Sequence, residues 1–239
     1  MNETTRRDVE VFLVSGSNTQ WCRTTTSLLM AFGLRLLRLE TLHIQVTARG
    51  KQPILHGEPA APFATAWLAA SERAPSVAAI RDCIGQFGQA EAVVVDLPVS
   101  AFERAWIADP GFRVLLPMST RPTDVERTAC DFHAIASAFV PSGGVMPWII
   151  PVGWPSAMLG SDYRPILDRA VTGSEFPAPP SDRVILAGRI PRFDFSSAPP
   201  IVDGRISLAP QDATATESIA YAMLKATGSS LLEDPDHAS

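Results

Sequence analysis

An α/β fold with a mostly parallel, doubly wound sheet of about seven strands, flanked by helices, is predicted by three observations. Short, β-branched and almost wholly apolar runs recur along the chain, as in "VEVFLV" (9–14) and "AVVVDLP" (92–98). They alternate with helix-length segments whose apolar residues return every three or four positions. The chain has 239 residues, 46% hydrophobic and 19% charged, which suits one domain with a core large enough to cover both faces of a sheet. A strand apolar at every position is what double coverage demands, because neither face meets water.

The first strand (9–14) runs into a polar stretch (15–23) and then a helix over 24–38, whose start is marked by Thr24, Thr25 and Thr26. "TLHIQVT" (41–47) is the second strand, and the segments 61–70 and 75–87 read as helices from their spacing. The strands "AVVVDLP" (92–98) and "RVLLPM" (113–118) come next, then a helix at roughly 123–139, with Asp124 read as the N-cap of its 125–139 portion. "MPWIIPV" (146–152) and "RVILAGRIP" (183–191) are the last strands, separated in part by the extended proline-rich loop "SEFPAPPSDR" (174–183). A final helix spans 213–227. The single domain is expected to occupy 1–228, and "SSLLEDPDHAS" (229–239) to be a flexible acidic tail. The chain contains no internal repeat.

Composition excludes several classes of function. A formal charge of −5 and a pI near 5.4 argue against non-specific coating of nucleic acid. The arginines are dispersed, and Arg183, Arg189, Arg192 and Arg205 are the one group that would serve DNA. No run approaches the about 20 apolar residues of a membrane span, and no leader-like segment opens the chain, so a cytoplasmic protein without a membrane anchor is expected. Cys22, Cys83 and Cys130 form no C-x-x-C pair, and the four histidines are scattered, so neither a disulfide framework nor a resident metal is expected.

The stretch "LVSGSNTQWCRTTTSLLMAFGLRLL" (13–37) has the outline of a phosphate-binding loop: a strand, a polar loop and a helix start, which together aim backbone N–H groups and a helix dipole at an anion. In a working loop, glycines let the backbone approach phosphate, a lysine neutralises its charge and a Ser/Thr hydroxyl holds Mg²⁺. Here Thr19, Gln20, Trp21 and Cys22 fill glycine positions and Arg23 takes the lysine's place. Side chains at 19–22 are expected to occupy the space through which phosphate enters. Arg23 reads equally as a phosphate ligand or a solvated surface arginine, and Thr24 and Thr25 as phosphate contacts or helix N-caps.

Four stretches in order resemble the ParA/MinD family of deviant Walker ATPases. "TTTSLLMA" aligns Asn18 with the family's signature lysine, Arg23 with its Walker lysine, Thr24 with its Mg²⁺ hydroxyl and Thr25 with the next phosphate contact. "AVVVDLP" resembles the Walker B strand, with Asp96 as the metal-side carboxylate; as plain sequence, Asp96 is equally a cap for the following turn. "RVLLPMSTRPTDVERTACDF" and "AGRIPRFDFSSAPPIVDGRISLAP" resemble the family's strand-proline-helix segment and its carboxyl end. The departures cluster at chemistry. Gln45 and Thr47 stand where the family carries an aspartate that helps position water, and Ile150, Pro151 and Val152 stand where it has an asparagine that reads the adenine edge.

The resemblance therefore implies a pseudo-ATPase: a non-catalytic scaffold or regulator acting through protein partners in plasmid or chromosome maintenance, transfer or cellular positioning, with no cofactor expected. The alternative is a slow or unusual ATPase that uses Arg23, Thr24 and Asp96 with ATP and Mg²⁺ and cycles between monomer and nucleotide-sandwich dimer. A homodimer, or a mixed dimer that poisons an active relative, is the assembly the resemblance implies, and Trp21 reads either as an anchor in such a face or as a lid over the phosphate pocket.

Overall fold

The computed structural model describes residues 9–17, 20–48, 61–70, 75–98, 111–139, 146–155, 157–185, 201–202, 205–206 and 208–232. Strand β1 (Glu10–Val14) lies inside a six-stranded sheet of order β3-β2-β4-β1-β5-β6. Its neighbours are β4 (Ala92–Asp96) and β5 (Phe112–Ser119); β2 (Thr41–Ala48) and β3 (Ala64–Ala70) extend one side and β6 (Trp148–Val152) the other. Every pairing in this sheet is parallel. Two further short strands, β7 (Ile201–Val202) and β8 (Arg205–Ile206), form a separate antiparallel pair.

Both faces of β1 are buried, as its uninterrupted apolar sequence requires. Phe12 and Val14 point to one core cluster and Val11 and Leu13 to the other. The first cluster lies under helices α1 (Gln20–Leu36) and α5 (Pro210–Thr227). The second lies under α2 (Val77–Gln86), α3 (Pro122–Phe139) and α4 (Gly160–Ala170). Helices thus cover both faces, and the sheet is doubly wound. Helices α1 and α5 pack against each other at Gly33, which has no side chain: a Cβ there would stand 2.5 Å from the Thr216 carbonyl oxygen and 2.6 Å from Ala220 Cβ.

Several expectations are corrected. The segment 61–70 is not a helix: β3 pairs with β2 from Leu42↔Ala64 to Ala48↔Ala70. Ala66 and Leu68 pack on the core while Thr65, Trp67 and Ala69 are exposed, so a period of two prevails over alanine's helix propensity once a partner strand is available. Among the described residues the main sheet has six strands rather than about seven. Of the expected strand 183–191, the structure describes a turn of 3₁₀ helix over Ser181–Arg183 and a single parallel bridge, Ile149↔Val184; residues 186–191 lie outside the described residues.

Helix α1 begins at Gln20, four residues before the expected start, and α3 begins at Pro122, where a proline loses no helical hydrogen bond. Asp124 is therefore inside the first turn of α3 rather than its N-cap; it is buried and accepts the Ser119 hydroxyl at 2.5 Å. The chain also stays packed beyond 228. Gly228 ends α5 in a left-handed conformation (φ 63°), and Leu231, in a 3₁₀ turn over Ser230–Leu232, is buried. The Ser230 N–H and hydroxyl donate to Glu10 Oε1 at 2.8 and 2.9 Å. The expected tail thus starts as docked structure; residues 233–239 lie outside the described residues.

Candidate functional site

The register Val14↔Asp96 sets the end of β1 directly beside the end of β4, so the loop leaving β1 and the carboxylate of Asp96 share the carboxyl edge of the sheet. This is the edge at which open parallel sheets place their ligands. The loop opens with Ser15, whose N–H continues the ladder to the Leu115 carbonyl at 3.0 Å. Gly16 follows at φ +136°, a conformation that L side chains rarely adopt. Ser17 then donates twice to one oxygen of Asp131 on α3, from its N–H at 2.7 Å and its hydroxyl at 2.8 Å.

Asp96 is wholly buried and organises the site. Its Oδ1 accepts from Arg23 Nε at 2.5 Å. Its Oδ2 accepts the Thr24 hydroxyl at 2.7 Å and lies 3.4 Å from the Gln45 side-chain amide. The contact with Gln45 follows from the register Gln45↔Asp96 between β2 and β4. Arg23 is 8% exposed, so the ion pair is shielded from water and the surface-arginine reading is excluded. The same face of β2 carries Thr41, His43, Gln45 and Thr47, all buried, opposite the apolar Leu42, Ile44 and Val46. His43 Nε2 lies 3.1 Å from the Ser27 hydroxyl of α1. Burial pushes the imidazole down to about 4, against the opposing pull of the Asp96 charge.

The early start of α1 changes the roles of the loop residues. Cys22 is not a plug in a phosphate pocket: it is fully buried in the core under α1, and burial, then the Asp124 charge, pushes its thiol up to about 12. Thr24, Thr25 and Thr26 lie in the second turn and are not N-caps; Thr24 donates to Asp96, Thr26 donates to the carbonyl of Cys22 at 2.7 Å, and Thr25 is buried. The Asp96 carboxylate accepts from Arg23 and Thr24, one on each oxygen. Asn18 and Thr19 lie outside the described residues, and so do the side chains of Gln20 and Trp21.

Of the arginines considered for DNA, Arg183 stacks its guanidinium 4.7 Å from the centre of the Trp148 ring; Arg189 and Arg192 lie outside the described residues, and so does the side chain of Arg205. Among the described residues no helix is long and apolar enough to cross a membrane, and no group of three His, Cys, Asp or Glu stands together to hold a metal.

The Thr24 hydroxyl donates to one Asp96 oxygen and the Arg23 guanidinium stands on the other, so a cation brought to this carboxylate would compete with a positive charge already paired to it. Sequence reasoning brought Arg23, Thr24 and Asp96 to one place. It missed Ser17, Ser27, His43 and Asp131, because their contacts join residues up to 114 positions apart and no local pattern announces them.

No family model matches the sequence, and no curated protein matches it. In three dimensions the chain is similar to a solved structure of the MinC:MinD cell division protein complex from Aquifex aeolicus, at 13% sequence identity, with 91% of this chain and 96% of that chain covered and a TM-score of 0.54. At that identity the likeness is one of fold. What the two share is a MinD-like α/β fold, a parallel sheet with helices on both its faces.

Proposed function

We propose that the protein is a pseudo-ATPase: a MinD-like scaffold or regulator that acts through protein partners without a nucleotide cycle, in plasmid or chromosome maintenance, transfer or cellular positioning within the cytoplasm. The observation that carries this reading is the buried Arg23–Asp96 pair, 2.5 Å apart with Thr24 on the same carboxylate. In phosphoryl transfer the chain supplies a cation to the phosphates and a carboxylate to the metal, and catalysis consists of their placement. Here the cation and the carboxylate neutralise each other. Separating them to admit Mg-nucleotide would leave two uncompensated charges in a low-dielectric site, at a cost of several kcal/mol on the order of that for breaking a buried pair. Gln45, beside Asp96, has no carboxylate with which to position water. A protein partner is supported by the similar structure, which is a complex of MinD with MinC.

The test is a titration with a fluorescent ATP analogue, with and without Mg²⁺, alongside a hydrolysis assay. The expected result is no saturable binding up to millimolar nucleotide and no turnover. Arg23→Lys, which keeps a cation beside Asp96, leaves both results unchanged. Mg²⁺-dependent turnover that disappears in Asp96→Asn would overturn the proposal and establish the slow ATPase in its place.

A further inference from the structure

The proline-rich segment "SEFPAPPSDR" (174–183) takes no part in the site around Asp96. Its backbone is set by its own covalent chemistry. Pro177, Pro179 and Pro180 each lock φ at about −65°, and the proline that follows bars Phe176, Ala178 and Pro179 from the helical region. Residues 177–180 accordingly form neither helix nor strand, and Pro180 stands at φ −61° and ψ 137°, in the polyproline II region. A polyproline II helix has three residues per turn, so Pro177 and Pro180 share one edge, about 9 Å apart. That edge faces water. Both prolines are exposed, whereas Pro179 is buried and Ala178 packs on the core.

The segment is pinned at both ends. Phe176 stacks on His133 of α3 with ring centres 4.6 Å apart, and the Arg183 N–H donates to the Pro180 carbonyl at 3.0 Å. Val184 then bridges to Ile149 of β6, and the Arg183 guanidinium lies over the Trp148 ring. Among the described residues the carbonyls of Pro177 and Ala178 accept no hydrogen bond. Glu175 and Asp182, which flank the prolines, are exposed and make no ion pair among the described residues.

We propose that the ridge at 177–180 is a docking surface for a partner protein whose groove is lined by parallel aromatic rings and rimmed by basic residues. Aromatic rings pack on the two exposed proline faces, indole N–H or phenol O–H donors of the groove bond the open carbonyls, and the basic rim meets Glu175 and Asp182. A ridge that is already extended and held at both ends loses little conformational freedom on binding, which favours the complex. The inference deepens the reading of a protein that acts through partners, and rests on it in that respect, but it does not depend on the absence of a nucleotide cycle.

The experiment titrates the unlabelled full chain into isotope-labelled probes that carry such grooves, an SH3, a WW and an EVH1 domain, followed by NMR. Saturable shifts confined to the groove of at least one probe are expected. The double variant Pro177→Ala, Pro180→Ala is expected to bind that probe about tenfold or more weakly while keeping the wild-type thermal midpoint, because both anchors lie on the exposed edge. No saturable shift in any probe at millimolar chain would overturn the proposal, and so would equal affinity of wild type and the double variant. If the double variant does not fold, displacement decides: binding that a saturating free peptide with a P-x-x-P core fails to displace would overturn it. Nucleotide turnover by wild type would overturn the pseudo-ATPase reading and leave these outcomes unaffected.

Discussion

His43 illustrates how single residues at this site were chosen for burial rather than for titration. It is 2% exposed, faces Ser27 and has its imidazole pushed down to about 4. The unfolded chain, with an ordinary histidine, takes up a proton near pH 6.5, before the native state does. The residue's contribution to stability is therefore complete above about pH 6.5 and is lost as pH falls toward about 4, at up to about 1.4 kcal/mol per pH unit. Urea unfolding of wild type at pH 7 and pH 5 is expected to show a larger loss than the same comparison for His43→Gln, in which that proton is absent. Equal losses would mean that His43 is hydrated. At this scale the sequence named Arg23, Thr24 and Asp96 correctly as neighbours. It could not reveal that the three satisfy one another, because an Arg–Asp contact across 73 residues depends on the register of two strands.

Among the elements, α1 carries the most sequence information and the sharpest constraint. Its contact with α5 requires a residue without a side chain at position 33. Gly33→Ala would gain roughly 1 kcal/mol of helix propensity, but the added methyl would meet a backbone carbonyl that cannot swing aside, and overpacking costs about 1–3 kcal/mol. Net destabilisation of up to about 2 kcal/mol is expected by chemical denaturation. Gly85→Ala in α2, where a Cβ meets nothing within 4 Å, is expected to be neutral or stabilising by up to about 1 kcal/mol. A stabilised Gly33→Ala would place α1 and α5 farther apart than they are. The elements that were misread failed for a related reason. "ATAWLAA" forms β3 because β2 offers an unpaired edge and Leu68 a place in the core, and neither fact is present in a short window of alanines.

Over the whole molecule, the two ends of the described chain close on each other. Glu10 opens β1 and holds the turn after α5 by two hydrogen bonds from Ser230, and Leu231 fills the core beside that contact. Leu231→Ala is expected to cost about 2 kcal/mol or more, as a buried leucine does, and to lower the thermal midpoint accordingly. An unchanged midpoint would mean that the turn is not docked. The acidic residues of 229–239 follow this turn in sequence, outside the described residues. Leu231 and Leu232 precede them and bury apolar surface, which is reason enough for the packing to continue past Gly228.

The sequence by itself determined the fold class and the position of the site. Strands apolar on both faces admit one kind of architecture, and the loop after the first of them, with an aspartate ending another, lies at the edge where such sheets place ligands. Local order is written in local periodicity, so these features were legible in windows of ten residues. What only the tertiary structure decided is how the site is filled: Arg23 on Asp96, Asp131 on Ser17, Cys22 in the core and β3 at the sheet's edge. Each of these depends on which strands become neighbours and in what register. That choice is made by the burial of the whole core at once and has no local signature.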